Sequence, residues 1–265
     1  MSHGPLRIIQ ISDTHLFSDK DKALLGVQPH KSLEGVLEQL KQDTEKFDFI
    51  IHSGDLSQDY SEPAYVRVAE MLGVFNVPIY CVPGNHDDPK VMAQVYPRGL
   101  ISNDRHIVTK NWQFILLDSH KPGAVEGFLA HEQLNYLQHC LHTYPEHHAI
   151  VLFHHQPIPV GSRWLDNLGL TNADELWNII SRFPKLKNVL FGHVHQEFDK
   201  EVNGIHCYST PSTCFQFMRN QDHFGLENLP PGYRWINLYD DGHIKTGVVR
   251  TPKYIGEFDI KATGY

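Results

Sequence analysis

The chain has 265 residues, 41% of them hydrophobic and 20% charged, enough to bury a substantial core as one domain over 1–265. No stretch approaches the roughly 18 uninterrupted apolar residues of a membrane helix, so no membrane partner is expected. With 31 acidic and 23 basic side chains, a formal net charge of -8, an extended nucleic-acid groove is disfavoured, because phosphates need clustered lysine and arginine.

The opening "MSHGPLRIIQIS" lacks the basic, apolar and small-residue succession of an export signal. Cys81, Cys140, Cys207 and Cys214 form no C-x-x-C pair. A cytoplasmic protein with reduced, packed thiols is the expectation.

The first predicted strand, "LRIIQISDTH", ends in Asp13 and His15. Ser32 is the expected N-cap of a helix carrying Leu33, Val36, Leu37 and Leu40 at helical spacing. A second strand, "FDFIIHSGD", ends in Asp55, and Ser61-Glu62-Pro63 opens the next helix with proline in its first turn. "VPIYCVPGNHDD" ends in Asn85, His86 and Asp87, and "FILLDS" carries Asp118, read as a turn residue.

A helix is predicted over 131–142 through Leu134, Leu137 and Leu141, followed by the strand "AIVLFHHQP" with His154 at its end. Asn172 and Glu175 read as a capping pair for a helix presenting Ala173, Leu176, Trp177 and Ile180. "LKNVLFGHVH" then ends in His193 and His195. From about residue 204 the pattern turns β-rich: "GIHCYSTP", "YRWINLY" and "GHIKTGVVR", with Asp241-Gly242 as a hairpin turn. A second sheet built from these strands and packed on the first would give an α/β/β/α sandwich.

Asp13, His15, Asp55, Asn85, His154, His193 and His195 all stand at the C-terminal ends of apparent strands, the edge at which open α/β sheets bind ligands. Side chains two apart on an extended segment point the same way, so His193 and His195 are expected to converge on one point. Two carboxylates, several imidazoles and an amide form a metal-binding donor set. His155 follows His154 directly and is expected to face away, and His52 is read as packing.

The ordered blocks D-x-H, G-D, G-N-H-D, H and G-H-x-H resemble those of the calcineurin-like metallophosphoesterases. "IIQISDTHLF", "ALLGV", "RWLDNLGL" and "TPSTCFQF" are further similar to the bacterial 3',5'-cyclic AMP phosphodiesterases of that superfamily, covering residues from about 8 to 217. The resemblance implies a four-layer metallophosphoesterase sandwich. It also implies that Asp13, His15, Asp55 and His195 hold one metal, and Asp55, Asn85, His154 and His193 the other. Asp55 bridges, giving one oxygen to each. Nitrogen and oxygen donors without thiolate suit two divalent ions, iron or manganese first, with zinc as an alternative.

The same resemblance sets His86 over the substrate, as proton donor or electrostatic stabiliser, with Asp87 either orienting it or capping a helix near Pro89. His15, Asn85, His86 and His195 would face the substrate. Two divalent cations against two carboxylates and a hydroxide leave one positive charge, which a phosphodiester neutralises. Hydrolysis of 3',5'-cyclic AMP to 5'-AMP by hydroxide attack on phosphorus is the first expectation, with a small cyclic nucleotide as the partner. "GSRWLDNLGL" and "TPSTCFQF" would shape the nucleotide pocket, with Trp164, Phe215 and Phe217 either stacking the base or lying in the core. Gln156 stands where a related sequence has a third histidine, a departure expected to alter the pocket wall. Two alternatives stay open: a broader phosphodiesterase or pyrophosphatase acting on glycerophosphodiesters or nucleotide sugars, and a non-catalytic scaffold that binds a protein.

Overall fold

Alternation along the buried strands sets the layers. In the computed structural model, which describes residues 4–252, 259 and 261–264, Ile9 and Ile11 of β1 (Leu6–Ile11) pack toward helices. Ile8, between them, packs the other way, into a core shared with a second sheet.

The chain continues through α1 (Pro29–Lys41), β2 (Phe49–His52), α2 (Glu62–Gly73), β3 (Ile79–Cys81), α3 (Pro89–Val95), β4 (Ile101–Ser102), β5 (His106–Val108) and β6 (Trp112–Leu116). Next come α4 (His131–Thr143), β7 (His148–Leu152), α5 (Arg163–Asp166), α6 (Ala173–Ile180) and β8 (Leu186–Phe191). The remaining strands are β9 (Phe198–Val202), β10 (Ile205–Ser209), β11 (Gln216–Phe217), β12 (Leu226–Glu227), β13 (Gly232–Leu238) and β14 (Ile244–Arg250). Among the described residues no helix is long and apolar enough to cross a membrane.

Two six-stranded sheets result, ordered β14-β13-β1-β2-β3-β4 and β5-β6-β7-β8-β10-β9. Phe49, Ile51, Phe114, Ile150, Leu152, Leu190 and Ile236 fill the space between them, with Phe49 and Phe114 edge to face at 5.0 Å. Leu33, Leu37, Tyr65 and Val68 of α1 and α2 cover the outer face of the first sheet, and Leu134, Leu137, Leu176 and Ile180 of α4 and α6 that of the second. The expected four-layer α/β/β/α sandwich is therefore the observed fold.

The predicted strands after residue 204 correct one expectation: β10, β13 and β14 join the two large sheets, and only the short β11 and β12 pair as a separate two-stranded sheet. β10 pairs parallel with β8, whereas β13 pairs antiparallel with β1, with Leu6 opposite Leu238, and carries β14 outward. Each covers an edge that the earlier strands leave open. The Asp241-Gly242 turn joins β13 and β14 as expected: Gly242 N donates to Tyr239 O at 3.0 Å and Gly242 has φ 90°.

One expected cap differs and another holds by position only. Ser32 lies inside α1, which starts at Pro29, and its hydroxyl donates to Thr213 O at 2.6 Å. Asn172 is the N-cap residue of α6 as expected and its amide reaches Glu175 Oε1 at 3.4 Å, but the side chain caps no helix N–H, being tied to the backbone of Leu129, accepting at 3.0 Å and donating at 2.8 Å. Ser61 does cap α2, accepting from Ala64 N. For Ser32 and Asn172 a distant backbone outcompetes the helix N–H groups for the side chain.

β1, β2 and β3 run parallel, as do β6, β7, β8 and β10, so their C-terminal ends share a rim. Gln10 ties the two sheets there, donating to Ser53 Oγ and Phe191 O, each at 3.0 Å. The polar loops of both sheets consequently meet at one place.

Candidate metal centre

At that rim the backbone turns sharply. Asp13, His15, Asp55, His193 and His195 all have φ between 48° and 67°. Left-handed backbone costs a residue with a Cβ about 1–2 kcal/mol, so five such residues at one rim mark a site the surrounding fold holds in place. His15 N donates to Asp55 O and Asp13 N to Gly54 O, each at 3.0 Å, locking the first two loops together.

Three imidazoles are fixed in the same tautomer by an acceptor at Nδ1. His15 Nδ1 donates to Gln58 Oε1 at 2.7 Å, His154 Nδ1 to Ser53 O at 2.7 Å, and His195 Nδ1 to Phe215 O at 2.9 Å. Their Nε2 atoms therefore aim inward. His15 Nε2 and His195 Nε2 stand 3.1 Å apart, and burial holds His15 down to about 3, so a proton between them is disfavoured. Two facing lone pairs at that distance call for a cation.

The ligand atoms of Asp13, His15, Asp55 and His195 lie within 4.8 Å of one another, and all four residues are buried. Beside them, His154 Nε2 stands 3.3 Å from Asp55 Oδ2 and 3.2 Å from Asn85 Oδ1. Asp55 Oδ1 accepts from His86 N at 2.8 Å, leaving Oδ2 as the free oxygen between both groups, 3.9 Å from His15 Nε2. Asp13 Oδ2, Asp55 Oδ2 and His193 Nε2 are buried with no hydrogen-bond partner. Orphaned polar atoms of this kind are costly in a native interior, and their nitrogen and oxygen chemistry fits metal ions.

His193 and His195 do not converge on a single point. His195 joins Asp13, His15 and Asp55, whereas His193 stands with His154 and His155. The reason is local: both residues leave the extended region, so the strand alternation stops before it reaches them.

The electrostatics follow burial first. Burial opposes ionisation of Asp13, but His195 and His154 more than offset it and bring the carboxyl down to about 2. Burial likewise disfavours a charged His154, yet Asp55 and Asp13 raise it to about 9. Burial drives His193 to about 3 and His52 to about 4.

His86, Asn85, Asp87 and Asp118 all line a cavity of about 810 Å³ that opens beside these groups. The His86 ring meets the His15 ring edge-on at 5.3 Å, and burial keeps it below the usual imidazole range. Asp87 is directed at backbone: it accepts from Leu56 N at 3.1 Å, Ser57 N at 3.0 Å and Gly84 N at 2.9 Å. Burial, then Asp55, pushes its carboxyl up to about 7. The cap of α3 is Asp88, accepting from Lys90 N and Val91 N. Asp87 thus binds the second and third loops to each other, and the capping role expected for it falls to Asp88.

His155 lies closer than strand alternation implies, its ring 4.9 Å from that of His193. Both its nitrogens are nevertheless used, Nε2 on Val125 O at 3.0 Å and Nδ1 on Ser119 Oγ at 2.8 Å. His52 accepts from Gly54 N and bonds Thr14 Oγ1, a satisfied interior histidine. Gln156 is buried, donates to Leu165 O at 2.6 Å and is not among the residues lining this cavity.

The segments expected to shape the pocket instead brace the ligands from behind. Ser212 Oγ donates to Asp13 O at 2.9 Å, Phe215 stacks on His15, and Phe217 stacks on His195 at 4.2 Å. Trp164 packs on Phe217 and Phe224. Phe215 and Phe217 belong to the core, and Trp164, partly buried, packs against it. Sequence reading passed over Gln58 and Ser53, which set histidine tautomers; each lies within three residues of Asp55, the only signal they carry.

Residues 6–197 match the calcineurin-like phosphoesterase family, and the chain belongs to it. Within that class it is 37% identical over 258 residues to a Pseudomonas aeruginosa protein named 3',5'-cyclic adenosine monophosphate phosphodiesterase CpdA, covering 97% of this chain and 94% of that one. A protein of the same name from Escherichia coli K12 is 40% identical over 261 residues, covering 98% and 95%. A solved dimetal phosphatase from Danio rerio shares the fold, with TM-score 0.67 at 12% identity over 94% of this chain and 100% of that one.

Proposed function

We propose that this chain, acting as one domain, is a dinuclear metal-dependent phosphodiesterase that opens 3',5'-cyclic AMP to 5'-AMP. The observation that carries the reading is Asp55 Oδ2, buried with no hydrogen-bond partner between two clusters of nitrogen and oxygen donors, beside a cavity bounded by Asn85 and His86. The names of the two bacterial relatives supply the substrate.

Asp13, His15, Asp55 and His195 would hold one ion, and Asp55, Asn85, His154 and His193 the other, with Asp55 shared. Iron or manganese suits this donor set, and zinc also fits. Bound there, two divalent cations supply the charge that activates water and draws electron density from the phosphoryl oxygens. His86 is partly buried, and that burial disfavours its charged form before substrate enters; a phosphodiester anion in the cavity favours the protonated form. The ring can then give its proton to the 3' oxygen as that oxygen leaves phosphorus. Asp87 holds the loop carrying Asn85 and His86 against the loop carrying Asp55.

Release of 5'-AMP from cyclic AMP by metal-stripped protein, before and after adding iron(II) or manganese, tests the reading, with Asn85→Ala as control. Turnover that requires metal and is lost in the variant supports it. Cleavage of a generic aryl phosphodiester without cyclic AMP turnover keeps the metal chemistry and sinks the substrate. Inactivity on both with metal bound favours a scaffold.

A further inference from the structure

The cavity beside His86, at about 810 Å³, is larger than a phosphodiester group fills, and its size lies within the range of sites that enclose whole small molecules, about 300–1,000 Å³. Phe215 and Phe217 lie in the core and partly buried Trp164 packs against it, and none of the three lines this cavity. Among the described residues lining the cavity, Tyr60 is the one phenylalanine, tyrosine or tryptophan.

Tyr60 is 49% exposed and has φ 58°. Both features are unfavourable for a tyrosine in isolation: an apolar ring face stands in water, and left-handed backbone costs about 1–2 kcal/mol. The neighbouring Asp59 holds the chain there. One of its carboxylate oxygens accepts from Ser18 N at 2.8 Å and Ser18 Oγ at 2.9 Å; the other accepts from Ser61 Oγ at 2.6 Å, Ser61 N at 3.3 Å and Ser57 Oγ at 3.3 Å. Both flanks of Tyr60 are pinned, and the residue is kept on the cavity wall. Another part of that wall is Val125, 45% exposed, whose carbonyl is tied to His155.

We infer that Tyr60 is a specificity-determining residue whose ring stacks the purine of the nucleotide while the phosphate sits at the metal centre. The inference rests on the nucleotide reading of the site and names how the base is gripped. Stacking tolerates any purine, because each presents a π face, so cyclic AMP and cyclic GMP should depend on Tyr60 alike.

The test compares wild type, Tyr60→Ala and Tyr60→Phe, each manganese-loaded and checked for an unchanged melting temperature. Calorimetry measures Kd for 5'-AMP and for ribose 5-phosphate, which has the same sugar and phosphate without the base; kinetics measures KM and kcat for cyclic AMP. Stacking on an aromatic is worth about 1–3 kcal/mol per base, so Tyr60→Ala should raise Kd for 5'-AMP and KM for cyclic AMP about tenfold, within a range of roughly 5- to 150-fold. It should leave kcat within about twofold and Kd for ribose 5-phosphate unchanged, and Tyr60→Phe should match wild type. Equal Kd values for 5'-AMP in wild type and Tyr60→Ala, or equal weakening of both ligands, overturn the inference. So does a wild type that binds 5'-AMP no more tightly than ribose 5-phosphate. A wild type that binds 5'-AMP in a Tyr60-dependent way without hydrolysing cyclic AMP supports the base platform and refutes the proposed reaction.

Discussion

Replacing Gly84 by alanine is a geometric test of the shared carboxylate. A Cβ at this position would lie 2.5 Å from the Asp55 amide nitrogen and 2.8 Å from Asp55 Cγ, and closer still to Oδ1. Carbon atoms pack at about 3.5–4.0 Å, so relieving the Cγ contact alone requires a shift of at least about 0.7 Å. Neither side yields freely, since Gly84 N is bonded to Asp87 and Asp55 Oδ1 to His86 N. Metal–ligand distances tolerate about 0.2 Å, and misplacing a catalytic group by 1 Å can cost about 100-fold. Gly84→Ala should therefore lower metal content per chain, measured by elemental analysis, and reduce kcat/KM on an aryl phosphodiester by about 100-fold or more. Gly73→Ala is the control: it ends α2 with nothing within 4 Å of the added methyl and should leave both readouts intact. A Gly84→Ala protein with wild-type metal content and activity within about threefold would refute the idea that backbone contact there positions Asp55.

Metal loading should displace protons. Asp55 holds His154 protonated up to about 9 in metal-free protein, so adding manganese near pH 7.5 should release about one proton, falling toward none above pH 9. A pH-stat titration checks this, and loading without release would contradict it. Chelation should correspondingly lower the melting temperature, since free ligand at 100 times Kd contributes about 2.7 kcal/mol. Buried His52 contributes to the acid side, alongside His15 and His193. Its folded pKa is depressed from 6.5 to about 4, so the unfolded chain takes up a proton that the folded chain refuses, and stability present above pH 6.5 is lost as pH falls toward 4. Urea unfolding of metal-free His52→Gln should lose about 3 kcal/mol less than wild type over that window; parallel curves would exclude His52 as a source.

The sequence by itself determined the layers and the chemistry. Near-continuous burial in β1, β2, β7 and β8, with successive residues facing opposite layers, is written in apolar runs such as "IIQI" and "AIVL", and those runs terminate in the aspartates and histidines that meet at the rim. Such patterns are legible because they depend on neighbours a few residues away. Partnership over long range is not local. Ser32 and Asn172 carry the composition of caps yet bond Thr213 and Leu129, because folding brings competing backbone to them. His193 and His195 share a motif yet divide between two clusters, because each residue takes a left-handed backbone that ends the strand's alternation. The pairing of β10 with β8 and of β13 with β1 was likewise decided by which sheet edges stood open. Tyr60 had no signal of its own in the chain; its place on the cavity wall depends on Asp59, held by Ser18 and Ser61, which fixes the loop there.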